Sequence, residues 1–471
     1  MEAMKNTMGS SATGSAPASE AGSVGGSSPP SPAISLKEWQ KPLAEHQTRV
    51  LRDGRVMLDA AFPGAGKTYL ATQTIRDLGM KTLVVAPKIS LSQWRKVIEG
   101  MGASDLVIGV TNPENLIASP KNPYYRNDDG WLVGDEPMLL VVDEIHRNAG
   151  GPDSKTALAI ARWCNKFHPG NKVLALSATP FESPMKMRCL GYLMGFHSFT
   201  QNSFYDWCRR NGCGDVTIGW GPSKRRIFRF TVNKKRAEEV MLSIRHEMGD
   251  RFISIGPEDI PGFPEETREV ELIDLAKKDH DALVRAYAEM PKRIQHLSKD
   301  EMVKVLRLRQ QAEFCKAQAL AEKAIEAAED GFSCFTCLNF TDARLRFEDY
   351  LRSKKVPFAS VYGGQREDER QAGIDAFQAN RVHVIVGIAQ ACGVALSLHD
   401  ERHERPRVSL ISPGYSAADL VQALGRIRRV GGTAAAQKIV LVAGSVEERV
   451  AATVQRKIDC IETLTDRDLM R

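Results

Sequence analysis

Ala61-Phe62-Pro63-Gly64-Ala65-Gly66-Lys67-Thr68 follows the mostly apolar run Val56-Met57-Leu58-Asp59-Ala60 and precedes a helix-like stretch over 69–78. A glycine-rich turn from strand to helix aims several backbone N–H groups and the positive end of a helix dipole at one point, where a polyphosphate fits. The stretch predicts a nucleotide-binding loop made by Pro63, Gly64, Ala65, Gly66, Lys67 and Thr68. Lys67 would reach the β and γ phosphates as a point charge, and the Thr68 hydroxyl would ligate the accompanying magnesium ion. The usual first glycine of such a loop is Ala61 here. Taken alone the octapeptide says that a nucleotide is bound, not for what purpose, and a turn that merely closes a strand–helix corner is the plain alternative.

A second stretch weighs against that alternative. Leu139-Leu140-Val141-Val142-Asp143-Glu144-Ile145-His146 is an apolar strand ending in adjacent carboxylates, which puts both at the carboxyl edge where α/β sheets bind ligands. Asp143 is positioned to hold magnesium, and Glu144 to orient and deprotonate the water that attacks a γ phosphate. A helix-capping acid pair after a buried strand would read the same way without the phosphate loop.

Composition narrows the class. The chain has 471 residues, 42% of them hydrophobic, which is ordinary for a globular protein and enough for two or three domains. The longest apolar runs are strand-length, so no membrane span is expected. The net charge of +6 is mild, but Lys224-Arg225-Arg226 and Lys234-Lys235-Arg236 form a local basic cluster. Nine cysteines without an N-terminal apolar signal region suggest a reducing, intracellular setting, the cytoplasm, nucleoid or nucleus of a host cell. Cys334-Phe335-Thr336-Cys337 falls inside a strand-like run with no second Cys/His pair at zinc spacing, which favours packing over a metal site.

Residues 1–34 are mostly Ser, Gly, Ala and Pro and read as a flexible tail. Strand-like and helix-like runs alternate over 35–250, the rhythm of a parallel sheet wrapped by helices, with a helical insertion after residue 181. Residues 251–330 read as an extended linker and helical segment, and alternation resumes over 331–471. The expected fold class is α/β, with two parallel-sheet domains in tandem.

Asp143-Glu144-Ile145-His146, Ser177-Ala178-Thr179-Pro180 and Gln422-Ala423-Leu424-Gly425-Arg426-Ile427-Arg428-Arg429 together resemble the superfamily 2 helicases and translocases, and they occur in the family's order. The resemblance spans roughly residues 36–461 and implies two RecA-like domains with the ATP site between them. It implies that Arg426 and Arg429 neutralise charge on the γ phosphate from the second domain. It also implies that Ser177, Thr179, His146 and Gln422 couple the nucleotide to nucleic acid. Ala86-Pro87-Lys88-Ile89-Ser90-Leu91-Ser92-Gln93-Trp94 looks like the Swi/Snf version of a motif touching the nucleic-acid backbone, which makes Ser90 and Trp94 contacts by resemblance. Thr111, Gly363, Gly364 and Gly393 resemble further such contacts, and Gln47 resembles the glutamine that reads adenine. Around Gly393, Cys392, Ala395 and Ser397 replace two usual glycines and an asparagine, so the fine geometry of that contact departs from the family's.

The implied function is an ATP- and magnesium-dependent translocase or helicase moving on DNA, duplex by preference, through sequence-independent phosphate contacts. The small, bare motor suggests a viral, phage or bacterial source. An RNA helicase of the DExH type keeps the fold and changes the track. A nucleotide-gated remodelling scaffold with little turnover is the reading from another class.

Overall fold

The computed structural model describes residues 34–116, 136–149, 151, 154–164, 168–218, 224–275, 277–288, 299–392 and 396–465. The expected N-terminal tail, apart from residue 34, lies outside them. The strands are β1 (Val56–Asp59), β2 (Thr82–Val85), β3 (Val107–Thr111), β4 (Leu139–Asp143), β5 (Lys172–Leu176), β6 (Cys213–Ile218), β7 (Arg225–Phe230), β8 (Phe252–Ile253), β9 (Glu266–Ile273), β10 (Ser333–Leu338), β11 (Phe358–Val361), β12 (Val384–Ile388), β13 (Arg407–Ile411) and β14 (Ala435–Val442). They form two six-stranded sheets, ordered β3-β2-β4-β5-β1-β8 and β11-β12-β10-β13-β14-β9, and a two-stranded β6-β7 hairpin. Every pairing inside the two large sheets is parallel. The architecture is a tandem pair of RecA-like lobes.

The central strands of both sheets form because they are apolar runs covered on both faces, the habit of parallel strands wrapped by helices. In β4, Leu140 and Val142 enter one core with Val56, Leu58 and Val173, while Leu139 and Val141 enter the other with Met57, Val84 and Leu174. In β10 the same period of two sends Phe335 and Cys337 to one face and Cys334 and Leu338 to the other. The two cysteines therefore point away from each other and serve packing, and both thiols are free.

Two boundaries differ from expectation. Residues 251–330 are not a linker: β8 extends the first sheet beside β1, and β9 pairs with β14 along eight residues as the edge of the second sheet. The helix Lys299–Glu329 then lays Ala317, Leu320, Ala321 and Ala324 into the second lobe's core. β9 hid because one face changes environment along its length. Glu266 and Arg268 are buried, whereas Val270 and Leu272 are 59% and 56% exposed. Glu266 accepts from Arg268 (2.6 Å), Arg428 (2.7 Å) and Gln437 (2.5 Å), which compensates the buried charge. The insertion after residue 181 holds the helices Arg188–Leu193, Gln201–Arg210 and Lys234–Met248, and also the unexpected antiparallel hairpin. Among the described residues no helix is long and apolar enough to cross a membrane.

Candidate nucleotide site between two lobes

The loop after β1 turns through two left-handed glycines, Gly64 (φ 89°) and Gly66 (φ 84°), and Gly66 caps the helix Lys67–Leu78. Its start is fixed by buried Asp59, which accepts from the Ala61 N–H (2.8 Å) and from Gln47 Nε2 (2.8 Å). Gln47 is fully buried, and its Oε1 accepts from Thr74 Oγ1 at 2.9 Å. Gln47 is therefore a brace under the loop, which corrects the expectation that it reads adenine. The glutamine that touches the loop is Gln40, whose Nε2 donates to Ala65 O (3.1 Å) and would lie 2.5 Å from a Cβ at Gly66. Lys67 Nζ donates to Ala61 O (2.9 Å) and Phe62 O (3.3 Å), bonds that an entering phosphate would exchange for its own oxygens.

Asp143 and Glu144 leave the end of β4 as expected. Asp143 Oδ2 accepts from Trp94 Nε1 at 2.9 Å, and Trp94 is 1% exposed. Trp94 thus orients the acid from within the core, a correction to its expected nucleic-acid contact. Burial, then the neighbouring Glu144 charge, pushes the Asp143 carboxyl up to about 6, against the Trp94 bond and Lys67. Glu144 has a positive φ of 50°, uncommon for a non-glycine residue, which re-aims its side chain at the strand end. Burial raises its pKa while Lys67, Arg147 and Arg426 draw it down. Its Oε2 lies 3.3 Å from His146 Nδ1, which is 2.7 Å from Ser177 Oγ. Ser177 Oγ accepts from the Thr179 N–H at 3.1 Å. A continuous chain of contacts therefore joins the hydrolytic carboxylate to the Ser-Ala-Thr segment. Burial, then Arg147, lowers the His146 pKa to about 3, so this histidine is neutral.

Gln422, Arg426 and Arg429 come from the second lobe, on and after the helix Ala417–Leu424. They line one cavity of about 110 Å³ together with Lys67, Thr68, Asp143 and Glu144. Two glycines permit this approach: a Cβ at Gly425 would lie 2.6 Å from Pro63 Cβ, and one at Gly64 would lie 3.0 Å from Arg429 Cγ. Leu396 O accepts from Arg426 Nη1 (3.2 Å) and Arg429 Nη2 (2.9 Å). Burial lowers their pKa values to about 10 and about 9, so both stay cationic at neutral pH. The Nε of each arginine and Nε2 of Gln422 are buried without a hydrogen-bond partner among the described residues, donors suited to an anion.

Residues 33–182 match the family model described as the res subunit of type III restriction enzymes. A protein of Acanthamoeba polyphaga mimivirus, provisionally named an ATP-dependent RNA helicase, is 27% identical over 455 residues, covering 88% of this chain and 80% of that protein. Together these two matches support a helicase-type, nucleic-acid-dependent ATPase. Among solved structures, the Sulfolobus solfataricus SWI2/SNF2 ATPase core in complex with dsDNA is 16% identical, with a TM-score of 0.37 over 89% of this chain and 90% of that one.

In this helicase-type ATPase the geometry supplies each part that phosphoryl transfer requires. Loop N–H groups and Lys67 are placed to hold phosphates, Glu144 to take a proton from water, and Arg426 and Arg429 to neutralise charge from the opposite side. The Thr68 hydroxyl and Asp143 carboxylate share the cavity, a hard-oxygen pair of the kind magnesium accepts alongside phosphates. Bound there, the ion would offset phosphate charge. At about 110 Å³ the cavity is well below the roughly 300–1,000 Å³ of small-molecule sites. A nucleotide therefore needs more room than the cavity offers in this arrangement of the lobes.

One site residue escaped the sequence reading. Arg147, directly after His146, donates from Nη2 to Asp419 Oδ1 (2.9 Å) and Gln422 Oε1 (2.7 Å), clasping the two lobes beside the cavity. Its only sequence signal is its place after Asp143-Glu144-Ile145-His146. On the other side of the clasp lies an interlobe cleft of about 770 Å³, lined by Lys88, His146, Arg147, Thr179, Lys186 and Lys457 among others.

The expected nucleic-acid contacts divide. Ser90 is buried, with Oγ bonded to Pro87 O at 2.8 Å, and it lines the nucleotide cavity instead. Thr111 is buried, with Oγ1 accepting from Asn115 Nδ2 at 2.8 Å, so it corrects to a structural residue. Gly363 and Gly364 are exposed and have nothing within 4 Å of an added Cβ, which leaves their backbone approachable. Gly393 lies outside the described residues.

Proposed function

We propose that this chain is an ATP-driven, Swi/Snf-like translocase that moves along duplex DNA inside the cell, gripping phosphates without reading sequence. The observation that carries the motor reading is the split site: Lys67, Asp143 and Glu144 on one lobe and Arg426 and Arg429 on the other line one cavity. Hydrolysis then depends on lobe closure, and closure alters the cleft lined by His146, Arg147 and Thr179. The stretch 86–94, with Lys88 in that cleft, supports the Swi/Snf branch and hence duplex DNA as the track. The nine free thiols support an intracellular setting. A second reading, movement on RNA, is supported by the name of the mimivirus relative.

ATP hydrolysis measured with duplex DNA, single-stranded DNA, branched DNA and RNA, alongside strand displacement, decides between them. Duplex DNA is expected to raise the rate most; stimulation by RNA alone would overturn the DNA assignment. Lys67→Ala and Glu144→Gln are both expected to abolish hydrolysis, with Glu144→Gln still binding ATP. Full biological activity in both variants would sink the motor reading in favour of a scaffold.

A further inference from the structure

The basic charge of this protein is concentrated in one place. Between Asp206 and Glu239 there are nine Lys and Arg against four Asp and Glu, a surplus of five, whereas the whole chain carries a net +6. The remainder is close to neutral. A motor that holds a polyanion needs a positive surface, and nearly all of the surplus sits on the β6-β7 hairpin and its flanking helices.

The hairpin is rooted firmly. Phe228 and Phe230 pack against the first lobe's core, Tyr205 meets Phe228 edge-on at 5.0 Å, and Arg209 lies over the Phe228 ring at 5.4 Å. Lys224 and Arg226 stand exposed on β7 and just before it, and the nearest acid, Asp215, makes only an exposed 3.3 Å pair with Arg226. The following helix, Lys234–Met248, opens on Lys234, Lys235 and Arg236 with no acid in its first turn. Lys234 pairs with Asp459 (2.9 Å) and Arg236 with Glu239 (2.8 Å), which offsets part of the cost of placing cations at a helix N-terminus, and Lys235 stands exposed between them.

Position gives this surface its meaning. A cavity of about 400 Å³, lined by Arg229, Lys234, Arg456 and Lys457 and also by Glu182, Glu238 and Asp459, runs between the hairpin's base and the C-terminal helix Val446–Thr465. It adjoins the interlobe cleft at Glu182 and Lys457, which line both and are paired at 3.1 Å. We propose that the β6-β7 insertion is a second nucleic-acid contact, an anchor that holds the phosphate backbone of the track where it leaves the interlobe cleft. The inference rests on the reading above for the nature of the track, and it goes beyond that reading in assigning the affinity to the insertion.

The test is a triple variant, Lys224→Ala with Arg226→Ala and Lys235→Ala, all outside the nucleotide site. Its control is Lys277→Ala with Lys278→Ala and Lys304→Ala, which removes the same charge from exposed positions on helices of the second lobe. Binding of fluorescent duplex DNA and of duplex RNA is measured by anisotropy against salt, with melting curves to verify folding. The hairpin triple is expected to weaken binding at least about tenfold and to flatten the log K against log salt slope by about 2 to 3. Its unstimulated hydrolysis and its maximal stimulated rate should stay unchanged, with only the nucleic-acid concentration for half-stimulation rising. Equal losses in the two triples would overturn the anchor. If wild type binds and responds only to RNA, the DNA reading fails and the anchor is judged on RNA. If no nucleic acid stimulates hydrolysis, the motor reading fails and the binding arm still decides the anchor.

Discussion

Arg147→Met is the most informative single change in this molecule, because it removes the interlobe clasp and leaves the fold of each lobe intact. Arg147 and Asp419 side chains are 22% and 29% exposed, between the surface and the core. Hydrogen bonds to charged groups in buried settings contribute about 1.5–3 kcal/mol and exposed pairs about 0.2–1 kcal/mol, so the clasp stabilises closure by about 1–2 kcal/mol. That is about a 5- to 30-fold change in the closed fraction, and the stimulated turnover number should fall by the same factor. A double-mutant cycle with Asp419→Asn should return most of this energy as coupling. A second effect follows from the same residue. Arg147 helps to hold the Glu144 carboxyl down against burial. Glu144 works ionised, so activity is lost as pH falls through its pKa. Without Arg147 that pKa rises, and the acid limb of the pH–rate profile moves to higher pH. Additive single effects in the cycle together with an unmoved acid limb would refute both the clasp and its electrostatic role.

Asp143 offers a test with an unusual sign. Its folded pKa, about 6, lies above its ordinary value of 3.8, so its contribution to stability is complete below about pH 4 and is lost as pH rises through 6. Asp143→Asn should therefore raise the melting temperature of the nucleotide-free protein at pH 7.5 and not at pH 4, while abolishing hydrolysis; no gain at the higher pH would contradict the burial argument. The two glutamines should separate cleanly: Gln47→Leu strips a bond from buried Asp59 and should cost about 1–3 kcal/mol in chemical denaturation. Gln40→Ala, which removes bonds to Ala65 O and from the Lys37 N–H, should cost less stability than Gln47→Leu because no buried charge loses a partner, and should raise the KM for ATP several-fold because its contact is with the phosphate loop. The reverse pattern would restore Gln47 as the nucleotide contact.

The catalytic half of the site was legible because phosphate chemistry constrains both residue type and spacing. A left-handed turn needs Gly64 and Gly66, and the strand-end acids must follow a continuous apolar run such as β4. Gln422, Arg426 and Arg429 were legible only through the family's pattern, since no local rule places a second-lobe helix on a first-lobe loop. What misled was the assumption that polar or aromatic residues in nucleic-acid motifs face the nucleic acid. Trp94, Ser90, Thr111 and Gln47 are buried and spend their polar atoms on Asp143, Pro87, Asn115 and Asp59. A buried polar group must find a partner, and in a small core that need decides its direction. β9 escaped for a related reason: the face that buries the charges of Glu266 and Arg268 exposes Val270 and Leu272 further along, so the alternation by which edge strands are found is missing.

The electrostatics of the closed site make it a switch as well as a catalyst. Bringing the lobes together buries Arg426 and Arg429, neighbours on the second lobe, against the first-lobe loop, and burial disfavours each cation; the charge of Arg426 depresses Arg429 further. Closure with the cavity empty of anions therefore carries an electrostatic cost, offset by the Arg147 clasp, by the acids Asp143 and Glu144, and by the pairs that the C-terminal helix makes with the first lobe, Lys457 with Glu182 and Asp459 with Lys234. A triphosphate reverses the sign, since its γ group gives both guanidinium groups and Lys67 a shared counter-charge in a low-dielectric space where each interaction counts most. Hydrolysis and loss of that group would return the repulsion and favour parting of the lobes. On this account the cycle of closing and opening needs no separate trigger, and weakening either arginine should reduce turnover and the nucleotide-dependent gain in closure together.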